Sequence, residues 1–306
     1  MAVTSATSAA SFRMTGGRRA ALFFGVPVCL ALVAGLAFSL VADFGQGRYP
    51  VSYTVQASTR ALTLNVTGQL TIKPTTAAQA TLTGSATYSL ARSKVTESTT
   101  SAGTTIGYHC PLPFGNCGLD ATVTVPATVT TLTASSGAGD ATVNGTTGPV
   151  KLSTGDGNLS VSHASGPLTL NTSSGGIQVS AVTSSALSAS SGDGSIQAAG
   201  VRSTTITANT DSGAISGTGI VADTITASSG DGDIQITFTS VPRDLRVNTD
   251  SGNITLVLPP GPTQYDVTAK SDSGNVGYGT LPRNSSSRNV ITASSGSGNI
   301  TISQAQ

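Results

Sequence analysis

Through the second half of the chain, apolar residues two apart recur in pairs with a Thr, Ser, Asn or Arg between them. Leu168/Leu170, Ile206/Ala208, Ile225/Ala227, Leu245/Val247 and Ile291/Ala293 are examples. A second set follows: Leu159/Val161, Ile177/Val179, Ile234/Ile236, Ile254/Leu256 and Ile300/Ile302. Alternation at period two is the mark of a short strand with one buried face. Between the two pairs of each unit lies a polar corner. Its fullest form runs from Ala227 to Ile236 through Ser229, Gly230, Asp231 and Gly232, and it returns at Ala189–Ile196 and Ala293–Ile300.

Aligned on the second corner glycine, the unit occurs at Gly139, Gly157, Gly175, Gly194, Gly213, Gly232, Gly252, Gly274 and Gly298. The steps are 18, 18, 19, 19, 19, 20, 22 and 24 residues. A period near 19 marks a solenoid, in which one repeat cannot bury its apolar face but stacked copies bury a continuous column. A third inward point recurs at Val182, Val201 and Ile220. The pattern predicts an all-β fold: a parallel β-solenoid of about nine ~19-residue coils with an N-terminal β cap, behind one N-terminal transmembrane helix.

The acidic corner residues read as turn chemistry. Two positions before the anchor glycine stand Gly155, Gly192, Gly230 and Gly296, but Asp211, Asp250 and Asp272 elsewhere. Glycine and Asp share a tolerance for positive φ, whereas a metal ligand could not be exchanged for glycine. The likeness to calcium-binding glycine–aspartate repeats is superficial, because their period is nine. No metal and no cofactor is expected.

Hydropathy changes the picture at the N-terminus. Residues 1–19 are a polar tail carrying Arg13, Arg18 and Arg19, and 20–42 run 23 residues without a charge. That length suffices for a bilayer core of about 30 Å and exceeds the apolar region of a signal peptide. Residues 20–42 are therefore expected to contact the lipid bilayer as a single-pass anchor. The preceding arginines put the N-terminus in the cytoplasm and the remainder outside. Residues 43–50 form a linker. Residues 51–131 alternate like strands without the 19-residue period and are expected to cap the first coil, leaving 132–306 as the solenoid. Outside the membrane, Cys110 and Cys117 lie close enough to predict a disulfide. Cys29 falls inside the apolar span and reads as a small filler there.

Composition narrows the function. Only 9% of residues are charged and the net charge is +1, so no nucleic-acid partner is expected. The two histidines are His109, beside Cys110, and His163, which falls in register with Val182 and Val201. Neither has an accompanying base or nucleophile in any catalytic motif. Asp193 and Asp231 occupy equivalent corners two coils apart and read as solvated turn residues, not as a glycosidase pair. No catalytic residue is expected.

The Cys110–Cys117 block, the strand Ala121–Pro126 and the repeats that follow together resemble the bacterial putative-adhesin family of β-strand-repeat domains of unknown function. The resemblance covers roughly residues 105–306. It implies a cell-surface β-solenoid behind a membrane anchor and supplies no catalytic motif. The expected function is a non-enzymatic extracytoplasmic module that binds an envelope polymer or a surface protein. The alternatives are a β-helical polysaccharide-acting enzyme and a Thr-array ice or crystal binder built on Thr205/Thr207 and Thr224/Thr226. The lengthened last coils carry Tyr265, Tyr278 and Arg283, residue types that favour contacts, so these are the candidate contact residues; the equal alternative is that these proline-bearing loops shield the exposed last edge.

Overall fold

A computed structural model describes residues 46–55, 60–89, 92–110 and 117–306; the expected anchor at 20–42 lies outside the described residues. Those residues form strands and turns, with no helix among them. In each coil the strand before the glycine corner joins a front sheet and the strand after it joins a back sheet. In the Gly175 coil these are Leu168–Thr172 and Ile177–Ser180. Successive coils pair in parallel, side chain over identical position. Ile177, Ile196, Ile215, Ile234 and Ile254 follow one another in a single column, each the direct partner of the next. These isoleucines are buried, as are Leu168, Leu187 and Leu245 on the front strands.

Two contacts fix the spacing of the coils. The anchor glycines stack so closely that a Cβ on Gly157, Gly194, Gly213, Gly232 or Gly252 would collide with the carbonyl of the anchor glycine one coil before. Three positions earlier every repeat carries a hydroxyl: Ser136, Thr154, Thr172, Ser191, Thr210, Ser229, Thr249, Ser271 and Ser295. This hydroxyl turns inward and does two things. Thr210 Oγ1 accepts from the Gly213 N–H at 3.1 Å and donates to the Gly194 carbonyl of the previous coil at 3.0 Å. Ser229 repeats the arrangement with Gly232 and Gly213, and Thr249 with Gly252 and Gly232. A buried backbone group needs a partner, and here the hydroxyl supplies it at each corner.

The coils do not stack in the order in which the chain makes them. Ser295 Oγ donates to the Gly252 carbonyl, and Ser271 Oγ to that of Gly298. Accordingly Ile254 pairs with Ile300, and Ile300 with Val276. The last coil in sequence is inserted between the Gly252 coil and the Gly274 coil, which forms the physical end. The N-terminal end mirrors this. Ala61–Val66 and Leu70–Thr75 form a coil cornered at Gly68, which stacks directly on the Gly139 coil. The later strands Gly103–His109 and Gly118–Pro126 lie on its outer side. Residues 51–131 thus contribute two coils of the solenoid as well as its cap, and the solenoid begins at Ala61 and not at 132.

This transposition explains the last two steps, of 22 and 24 residues. To leave a free slot, the chain must step two strand spacings, about 9.6 Å, and then come back. Pro259–Tyr265 spans the outward step and residues 278–289 the return. A terminal coil with one neighbour frays most readily. Insertion gives each chain-end coil two neighbours and leaves the exposed coil held by chain at both ends.

The cap itself is antiparallel. Gln46–Val55 pairs with Ala80–Ser89, which pairs in turn with Gly118–Pro126, while Lys94–Thr100 pairs with Gly103–His109. Tyrosines join the two sheets across this end. Tyr49 donates to the Ser93 carbonyl at 2.7 Å, Tyr53 bonds Glu97, and Arg92 stands over the Tyr49 and Tyr88 rings. A disulfide joins Cys110 to Cys117 where this outermost coil turns its corner.

Hydrogen exchange should report the transposed order. Amides of Val290–Ser295 and Ile300–Gln304 are expected to exchange more slowly than those of Asp266–Ser271; the reverse ranking would restore sequential stacking. Replacing Thr210 by Val removes the hydroxyl and strands a buried Gly213 N–H, at a cost of about 1–3 kcal/mol in chemical denaturation. Asp231→Ser should change stability by about 0.5 kcal/mol or less, because Ser212 and Ser251 hold the same corner position.

Candidate functional site

Outward residues of the front strands also stack in ranks, and parallel pairing brings like on like. One rank runs Thr63, Thr133, Lys151, Thr169, Ser188, Thr207, Thr226, Arg246 and Thr292. Beside it runs Asn65, Ser135, Ser153, Asn171, Ser190, Asn209, Ser228, Asn248 and Ser294, through the same pairings. Neighbours along the second rank bond to each other: Ser135 Oγ donates to Asn65 Oδ1 at 2.7 Å and Ser294 Oγ to Asn248 Oδ1 at 2.6 Å. The result is a long strip of small hydroxyl and amide groups in which Lys151 and Arg246 are the charges. The Thr205/Thr207 and Thr224/Thr226 ranks do align. They lie within this mixed strip, flanked by Ser188 and Arg246, and do not form an array of their own.

At the corner edge a second polar ladder climbs the solenoid. Asp140 Oδ1 accepts from the Asn158 backbone at 2.7 Å, Asp233 Oδ1 from Asn253 at 2.7 Å, and Asn253 Oδ1 from Asn299 at 2.9 Å. These groups hold one coil to the next. Asp193 and Asp231 are exposed at their corners. Among the described residues no three His, Cys, Asp or Glu side chains gather as a metal site.

The two histidines stand apart from any site. His109 ends its strand exposed, opposite Lys94. His163 adopts a left-handed turn with φ 52°, in line with Ala181 at φ 51° and with Gly145, Gly200 and Gly219. The backbone bonds place Ala164, one residue later, in the column of Val182 and Val201. The extra residue in the longer coils accounts for the shift of one position.

The three candidate contact residues meet at the end coil, where the backbone bridges Tyr265 to Arg283 and Arg283 lies over Tyr278, but they do not form an open binding loop. Tyr265 is fully buried, at 0% exposure, because its strand is the outward step to the end coil and its backbone bonds Pro282 and Asn284. It is therefore a core residue, not a contact. Tyr278 is half-buried, and the exposed Arg283 lies 4.2 Å from its ring centroid. The segment Pro282–Asn284 covers the free edge beside Tyr265, and proline there denies a partner strand its N–H. A buried aromatic on an insertion gives no periodic signal, and that is why pattern reading placed it at the surface.

Tyr265 Oη has no hydrogen-bond partner, and burial raises its pKa above the ordinary tyrosine value. The folded state holds this proton more tightly than the unfolded chain. Its contribution is therefore intact below pH about 10 and is lost as pH rises beyond it. Tyr265→Phe is expected to melt at the same or a higher temperature at pH 7 and to lose less stability than the parent between pH 9 and 11. A variant clearly weaker at pH 7 would show that the phenol has a partner.

Three solved structures match this chain. One is described as a putative lipid binding protein from Parabacteroides distasonis, with TM-score 0.51 and 14% identity over 84% of this chain and 97% of its own. A putative adhesin from Bacteroides fragilis aligns with TM-score 0.41 and 15% identity, covering 85% and 97%. A putative cell adhesion protein from Clostridium sporogenes gives 0.24 and 12%, covering 85% and 100%. At such identities the first likeness speaks to the fold alone. No curated protein matches this chain. The family description that matches is Toastrack DUF4097, over residues 59–303, which takes in the transposed coils at both ends and the whole front face; the chain belongs to that family.

Proposed function

We propose that this chain is a membrane-anchored, extracytoplasmic, non-enzymatic module that holds an envelope polymer or surface protein along the outer face of its front sheet. The observation that carries the reading is the double rank from Thr63 to Thr292 and from Asn65 to Ser294. At a strand spacing of about 4.8 Å, the nine coils of this double rank extend roughly 40 Å. A regular strip of that length, nearly free of charge, suits an extended partner held by many hydrogen bonds rather than a small substrate held at one point. Two exposed histidines and four scattered lysines support binding over catalysis. Residues 20–42 serve as the anchor, with 43–306 outside the cell.

Co-sedimentation of the full chain, in detergent micelles, with insoluble envelope material tests the face. Ser190→Glu combined with Ser228→Glu is expected to lower binding tenfold or more with an unchanged melt. Gln197→Glu with Gln235→Glu, exposed on the opposite sheet, should leave it intact. Equal binding by both double variants would reject the front face. Protease added to intact spheroplasts should remove residues 43–306, and cleavage confined to the N-terminal tail would reverse the proposed orientation.

A further inference from the structure

Where the back strand turns toward the front sheet, each coil sends one side chain into the interior. In stacking order these are Phe238, Ile220, Val201, Val182, Ala164 and Thr146. All are buried, Phe238 at 2% exposure and Thr146 at 9%. The column tapers from a phenyl ring to a threonine as it approaches the N-terminal end. The next coil is the Gly68 coil. Its chain leaves through Pro74 and Thr75 and supplies no further member. A cavity of about 170 Å³ opens at that point, against Pro74, Val125, Pro126, Val129, Leu132 and Pro149, with Thr146 in its wall. Thr146 Oγ1 is buried and has no hydrogen-bond partner.

We propose that this cavity is a binding site for a single phenol-type ring, either a small free phenol or a tyrosine side chain presented by another protein. Size is the first argument. An apolar cavity of about 150 Å³ accepts benzene, so this one has room for one ring and little more. Wall chemistry is the second. No charged side chain lines the cavity; proline, valine and leucine supply its apolar walls, and Thr75, Thr130 and Thr147 add polar groups, so the lining favours a guest with an apolar body and one polar end. The third is Thr146. An unpartnered buried hydroxyl is costly, and rotation about its single χ1 exchanges the methyl for the hydroxyl at the wall. A phenol offers the ring for the walls and an O–H for that hydroxyl, whereas an acyl chain offers nothing to Thr146. The site is separate from the front face and does not depend on the function proposed for it.

The test is a titration of valine, leucine and isoleucine methyl resonances in the full chain, in detergent micelles, with p-cresol as the probe. Saturable shifts are expected at Val125, Val129 and Leu132, with Val201 and Ile220 still. Thr146→Ile repeats the residue that fills this column at Ile220, so it should fold and abolish the shifts. Thr146→Val keeps the shape and should weaken p-cresol by up to about tenfold while leaving toluene unchanged. The peptide Gly-Gly-Tyr-Gly-Gly separates the two sources: binding by both it and p-cresol assigns a presented tyrosine, and p-cresol alone a free phenol. The proposal is overturned if p-cresol produces no saturable shift, as for a cavity holding only water. It is equally overturned if the shifts persist in Thr146→Ile, if Thr146→Val treats p-cresol and toluene alike, or if decanoate saturates the same methyls more tightly than p-cresol.

Discussion

Each anchor glycine rests on the carbonyl of the one beneath it, at a separation that leaves no room for a Cβ. This contact governs the molecule. It forces the corners into vertical register, and register at the corner sets register along both strands. Isoleucine then falls on isoleucine in the back sheet and small polar residues on one another along the outer face of the front sheet. The inward hydroxyl three residues earlier completes the corner by bonding the glycine N–H of its own coil and a carbonyl of the coil stacked before it. With charge so scarce, few long-range charge effects compete with this geometry, and the two exposed ion pairs, Arg246–Asp244 and Lys270–Asp272, contribute little.

A linear stack has weak ends, and this chain treats both alike. The first and last coils in sequence are each set one place inward, and the neighbouring coil in sequence takes the edge. At the N-terminal side the edge is then sealed by antiparallel strands, tyrosines and the Cys110–Cys117 bond. At the C-terminal side Pro282–Asn284 lies along the free edge next to Tyr265. The lengthened coils, which pattern alone leaves open between binding loops and edge protection, are the connections this rearrangement requires.

The same regularity bears on function. A repeating fold multiplies whatever it displays, and the front face multiplies hydroxyl and amide groups at one spacing. Toward the N-terminal end the inward column runs out at Thr146 and leaves a cavity. A periodic strip and a single pocket recognise different kinds of guest, which is why the two are assigned separately.

The sequence by itself determined the period, the strand pairs, the inward and outward sides of each strand, and the reading of Asp231 and its equivalents as turn residues. The first three follow from local rules, alternation at period two and the inability of one repeat to bury its own face. The positive φ expected at Gly230, Asp211 and their equivalents is not adopted; glycine is favoured at Gly192 and Gly230 because a Cβ there would meet the carbonyl of the coil before. It also carried the hydroxyl three residues before each anchor glycine, a signal readable from Ser136 to Ser295 once the corner is known to turn that side chain inward. Only the tertiary structure decided that the Gly298 coil lies between those of Gly252 and Gly274, because each of these coils presents an aliphatic residue and a glycine to its neighbours and so fits in more than one place. For the same reason it alone could bury Tyr265, extend the solenoid back to Ala61 and open the cavity at Thr146. Each of these depends on which coil comes next in space, a quantity that a repeating sequence does not encode.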